Sequence, residues 1–113
     1  MRRQVLLLTS LGMIAALSAP VAAQQDGGLV GLHDKVRVGN KICMADHFHT
    51  GSSAGQASRR QAESAAIAEW AGFTAWEYGN HWANFGMAES KAMTCHQAGS
   101  WSCSVDARAC RRR

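Results

Sequence analysis

The stretch Ser58–Gly79, SRRQAESAAIAEWAGFTAWEYG, decides the fold of this 113-residue chain. It opens on a capping box, in which the Ser58 hydroxyl accepts from a free helix-start N–H and Gln61 reaches back. The interior is rich in Ala, and Gly79 stands where a helix ending at Tyr78 would stop. Ala62, Ala66, Ile67, Trp70, Phe73 and Thr74 recur at helical spacing, and Trp76 widens the stripe. One face of this helix is written to pack on something else.

Both flanks of the helix read as hairpins. On the N-terminal side Val36 and Val38 alternate with Lys35 and Arg37, Gly39-Asn40 offers a turn, and a second strand runs from Lys41 to about Phe48. A two-residue turn would set Val38 opposite Lys41. A three-residue turn, Gly39 to Lys41, sets Val38 opposite Ile42 and Val36 opposite Met44; it is the expected register because it buries one consistent face. The small residues from Gly51 to Gly55 then read as a flexible loop. After the helix, Asn80 is placed to cap a short second helix carrying Trp82, Phe85, Met87 and Ala88. Towards the C-terminus, Met93 and Cys95 share one strand face while Trp101, Cys103 and Val105 share another. A turn at Ala98-Gly99-Ser100 sets Cys95 opposite Cys103. The expected class is α+β, with one main helix packed on a small antiparallel sheet of hairpins.

Residues 1–23 read as a signal peptide: Arg2 and Arg3, an apolar stretch from Val5 to Leu17, then small residues at Val21 and Ala23 before a cut at Gln24. The apolar run is too short and too interrupted for a bilayer span, so no transmembrane span is expected after cleavage. What remains is a loose lead-in over 24–34, one small domain over 35–110 and a basic tail over 111–113. Ninety residues hold one modest core and exclude enzyme folds built on a large sheet.

The net charge of +4 belongs to the whole chain. The segment from Gln24 to Cys110 carries seven Lys and Arg against eight Asp and Glu, without the broad basic face of a nucleic-acid binder. Arg111-Arg112-Arg113 is the exception, a solvated end that could also touch an anionic surface. Cys43, Cys95, Cys103 and Cys110 make an even count, which in a small exported chain argues for two disulfides. Three pairings are open from sequence; the hairpin favours Cys95–Cys103, leaving Cys43 for Cys110. No Cys-x-x-Cys is present, so neither a thioredoxin-type site nor a zinc ribbon is signalled.

Candidate chemistry is sparse. Gly51-Ser52-Ser53-Ala54-Gly55 matches the nucleophile-elbow pattern, but the helix cap lies five residues past Ser53 and no broad sheet exists to hold an acid and a histidine. No catalytic residue is assigned and the chain is not expected to be an enzyme. His47 and His49 lie two apart on a strand and point to one side, half of a copper or zinc site or else two solvated rings. The other histidines, His33, His81 and His96, are scattered, and Glu69 and Glu77 read as surface charges two turns apart. Trp70 belongs to the core, whereas Trp76, Trp82 and Trp101 do not all fit easily in so small a core: one or two left exposed offer a binding surface, the alternative being that all four are shared between core and disulfide cover.

The segments Ala62-x3-Ala66-Ile67-x2-Trp70, Tyr78-Gly79-x2-Trp82, Ala88-x-Ser90-Lys91 and Cys95…Trp101-x-Cys103…Ala107-Arg108-x-Cys110 carry one resemblance. The chain resembles a loose group of small exported alphaproteobacterial proteins of unknown function that share a Trp-bearing helix, a Tyr-Gly and a Cys-rich C-terminal hairpin. The resemblance covers about half the chain, and Ala109 stands where that group carries Pro. It implies an exported domain and supplies no activity. The expectation is therefore a periplasmic or secreted, non-catalytic module that binds an envelope protein or glycan, with copper or zinc binding at His47 and His49 as the alternative and no cofactor otherwise implied.

Overall fold

The computed structural model describes Asp26 and residues 28–113; the expected signal segment, 1–23, lies outside them. In order come a 3-10 turn at Val30–Leu32, strands β1 (Lys35–Val38), β2 (Lys41–Met44) and β3 (His49–Ser52), and helix α1 (Arg59–Tyr78). Two further 3-10 turns, Asn80–Trp82 and Phe85–Met87, precede β4 (Glu89–Ala98), β5 (Ser100–Arg108) and β6 (Cys110–Arg112). The strands form two antiparallel three-stranded sheets, ordered β1-β2-β6 and β3-β5-β4, with α1 lying across β3 and β5. The α+β expectation is met, with two small sheets in place of one. No described helix is long and apolar enough to cross a membrane.

Helix α1 begins and ends where its sequence signals place it. The Ser58 hydroxyl accepts from the Gln61 N–H at 3.1 Å, and Gly79 closes the helix at a φ of +102°. The buried line is Ala62, Ala66, Trp70, Thr74 and Tyr78, an i, i+4 row. Phe73 and Trp76, which the stripe also claimed, are 44% and 76% exposed. The row can be that narrow because the strand beneath it carries Gly51. A Cβ there would stand 2.1 Å from the Ala66 carbonyl oxygen, so only glycine lets the helix approach this closely. The expected flexible loop is accordingly corrected: Gly51 and Ser52 are strand, paired with Val105 and Ser104.

The Cys95–Cys103 register holds as expected, with Gly99 at a φ of +75° as the lone residue between β4 and β5. The first hairpin does not take the expected register. Val38 pairs with Lys41 and Val36 with Cys43, around the two-residue turn Gly39-Asn40 with Gly39 at a φ of +60°. Turn chemistry wins because Lys35, Val36 and Arg37 are all exposed, so no buried face of β1 selects between registers. On its other edge β2 is pinned to β6, where Cys43 faces Cys110 and is bonded to it.

The second strand ends at Met44 rather than near Phe48, since the chain crosses there to the other sheet. Arg108 staples the crossing: its Nη1 donates to the carbonyls of Met44 (2.7 Å) and Ala45 (3.1 Å), and it reaches Ser90 Oγ from its other nitrogens. The expected short helix after Asn80 is two separate 3-10 turns, the second capped by Asn84. Asp26 and Val30, in the expected lead-in, and Arg111 and Arg112, in the expected tail, all make contacts with the domain. The Asp26 carboxylate accepts from His81 Nε2 and Trp82 Nε1, both at 2.7 Å, and Val30 is buried. Arg111 and Arg112 belong to β6, with the Arg111 guanidinium over the Trp82 ring at 5.5 Å.

Candidate metal centre

Thr74, on the buried row of α1, fixes the geometry next to it. Its hydroxyl donates to the Trp70 carbonyl at 2.7 Å, one turn earlier in the helix. That commits its only proton, so the 2.8 Å contact with His49 is a donation from Nδ1–H to Thr74 Oγ1. His49 opens β3 facing the helix and is 2% exposed. Burial pushes its pKa below the ordinary imidazole value, Glu77 opposes that shift, and His47 and His33 reinforce it. With Nδ1 carrying the proton, the neutral ring presents a lone pair at Nε2.

That lone pair stands 2.7 Å from Glu77 Oε2, at the C-terminal end of α1. Neither atom has a hydrogen-bond partner among the described residues. Two electron-rich atoms at this distance repel unless a proton or a cation shares them. The other carboxylate oxygen, Oε1, lies 3.8 Å from His33 Nε2, and the His33 ring stacks on His47 at 4.0 Å. One donor atom each from His33, His47 and Glu77 falls within 4.8 Å of the other two, and all three residues are half-buried. Beneath them Tyr78 stacks on His49 at 4.7 Å and meets the edges of His33 and His47. Burial raises the Tyr78 pKa, with Glu77 adding to it, so this phenol stays protonated.

No family model, curated protein or solved structure matches this chain. Its chemistry is therefore read from its own atoms.

Of the two histidines expected to form half a site, the structure brings both together, with ring centroids 5.2 Å apart, but in unequal roles. His47 lies in the loop before β3 and is partly open, whereas His49 is buried behind Glu77, so the picture of two solvated rings on one strand face is corrected. Sequence reasoning misses His33 and Glu77. Glu77 reads as a surface charge, yet its side chain is only 11% exposed. Its place beside Tyr78 and three residues after Thr74, both on the buried row, is the one sequence signal that could have found it. His33 has no such signal, because only the 3-10 turn at Val30–Leu32 carries it to His47. His81 is engaged with Asp26, and His96 is exposed on β4.

A cleft of about 790 Å³ adjoins the cluster. His47, His49 and Glu77 line its cluster side, Phe48 and Phe73 form apolar walls, and Thr50, Glu69 and Gly72 complete it. Trp76 stacks on Phe73 at 5.9 Å and is 76% exposed. The other expected surface tryptophans lie elsewhere: Trp82 is buried against Asp26 and Arg111, and Trp101 is half-buried and bridged to Gln56. Ser53 is occupied structurally, donating to the Ala62 carbonyl at 2.6 Å and accepting from the Cys103 N–H at 3.1 Å. All four cysteines are in disulfides, so no thiolate is on offer to a metal. The donor set at the cluster is imidazole and carboxylate, which suits zinc or copper(II) more than a soft ion.

Proposed function

We propose that this protein is an exported, disulfide-stapled binding module of the cell envelope that holds one first-row transition metal, zinc or copper(II), through His33, His47 and Glu77. The observation that carries the reading is the mutual 4.8 Å limit on three donor atoms drawn from three separate parts of the chain. Donors around a tetrahedral zinc stand about 3.4 Å apart, so the triad needs to contract by little more than ~1 Å to close. Support also comes from behind the site. Thr74 anchors His49 from the helix backbone, so its Nε2 is held 2.7 Å from Glu77 Oε2, a buried pair of electron-rich atoms whose repulsion a cation at Glu77 would relieve. Disulfides agree with an oxidising compartment.

Native mass spectrometry and calorimetry of the oxidised protein with zinc or copper(II) test this reading. One ion per chain is expected, with affinity lowered at least tenfold by His33→Ala, His47→Ala or Glu77→Gln and unchanged by His96→Ala. Absence of binding at micromolar metal, or equal effects of all four substitutions, overturns it.

A further inference from the structure

The metal reading leaves three features without a role: the cleft, its exposed aromatic walls and a glycine in the middle of a helix. Phe48 is 47% exposed and Phe73 44%, and both face a space whose end is formed by two of the three metal donors. A cleft of this volume is within the range of small-molecule sites. Gly72 sits in the interior of α1 where a Cβ would meet nothing within 4 Å, so glycine is not required by packing there. It costs helix stability and keeps the cleft open.

Resting on that metal reading, we infer that the cleft takes an aromatic small molecule whose neutral nitrogen donor completes the metal's coordination. Three protein donors leave a tetrahedral ion one position to fill, and His47 and Glu77 place that ion at the cleft's end. The apolar walls of Phe48 and Phe73 match a flat aromatic body. The charge lining selects the head group. Among the described residues no Lys or Arg lines the cleft, and Glu77 and Glu69 already match the two charges of the ion, so a carboxylate or phosphate head would add a negative charge without a counter-charge. A neutral imidazole-type or pyridine-type nitrogen meets no such penalty.

The test uses the zinc-loaded protein and calorimetric titration with 4-phenylimidazole, imidazole and benzoate. The expected result is 4-phenylimidazole binding at least tenfold tighter than imidazole, with benzoate weaker than both. Gly72→Leu, which grows a side chain into the cleft, and Phe48→Ala, which removes a wall, each reduce that advantage at least fivefold and leave zinc affinity within twofold. Zinc binding without the aromatic preference overturns this inference and leaves the metal reading standing, as does equal 4-phenylimidazole binding to metal-free protein. Failure to bind zinc at all overturns both.

Discussion

His49 Nε2 and Glu77 Oε2 lie 2.7 Å apart in a pocket where the imidazole is nearly inaccessible to water, and the opposite ring nitrogen is tied to Thr74. The tautomer is thereby set by a residue that is itself fully buried. Thr74→Val keeps the shape and removes the acceptor, leaving Nδ1–H buried without a partner. The expected cost is about 1–3 kcal/mol in urea denaturation. Zinc affinity falls along with it, by about 10–100-fold, because the His49 ring behind Glu77 loses its anchor. A variant with wild-type stability and wild-type affinity would show that the Trp70–Thr74–His49 series has no such role.

Two glycines give opposite signs on the same substitution. Gly51→Ala drives a Cβ to within 2.1 Å of the Ala66 carbonyl and 2.6 Å of the Trp70 nitrogen, both backbone atoms of α1 that cannot step aside. It destabilises by about 3 kcal/mol or more. Gly72→Ala meets open space in a helix interior and stabilises by about 0.5–1 kcal/mol. Thermal melts of the two variants against wild type check both, and a loss at Gly72 would mean that the cleft floor is packed.

The two disulfides differ in the chain they close. Cys43–Cys110 spans 67 residues and Cys95–Cys103 spans 8. On chain entropy alone the long loop contributes about 4 kcal/mol and the short one about 2.5 kcal/mol. Paired alanine substitutions, compared by denaturant midpoint, are expected to rank in that order. The reverse order would mean that packing around the short bridge outweighs loop-closure entropy.

Acid loosens the N-terminal contact. Burial by itself would raise the Asp26 carboxyl, but hydrogen bonds from Trp82 and His81, with the charges of Arg111 and His81, outweigh it and hold the pKa below the usual aspartate value of 3.8. A depressed carboxylate contributes stability that is present above its unfolded pKa and is lost as pH falls through the folded one. Wild type therefore loses more stability than Asp26→Asn as pH falls below about 4. Parallel melting curves for the two proteins between pH 5 and pH 2 would contradict this. Trp82 fluorescence follows the release directly, since its indole N–H is bonded to that carboxylate.

Local chemistry is legible wherever neighbours in sequence settle the outcome. Ser58 and Gly79 bound the helix, and the Gly99 turn places Cys95 opposite Cys103, because caps and tight turns involve only a few consecutive residues. The β1–β2 register departs from expectation because β1 remains exposed and burial exerts no preference there; a strand's burial depends on what its sheet is covered by.

The candidate centre lies on the other side of that divide. Composition and pattern by themselves determined an α+β domain with one capped helix, hairpin strands and an even set of cysteines. They singled out His47 and His49 because those two are neighbours. Only the tertiary structure joined His33 and Glu77 to them, separated the open His47 from the buried His49, and left Trp76 outside while Trp82 went in. Those outcomes depend on where Gly51 lets the helix settle and on which sheet the chain enters after Met44, and both are decided by packing between segments far apart in sequence.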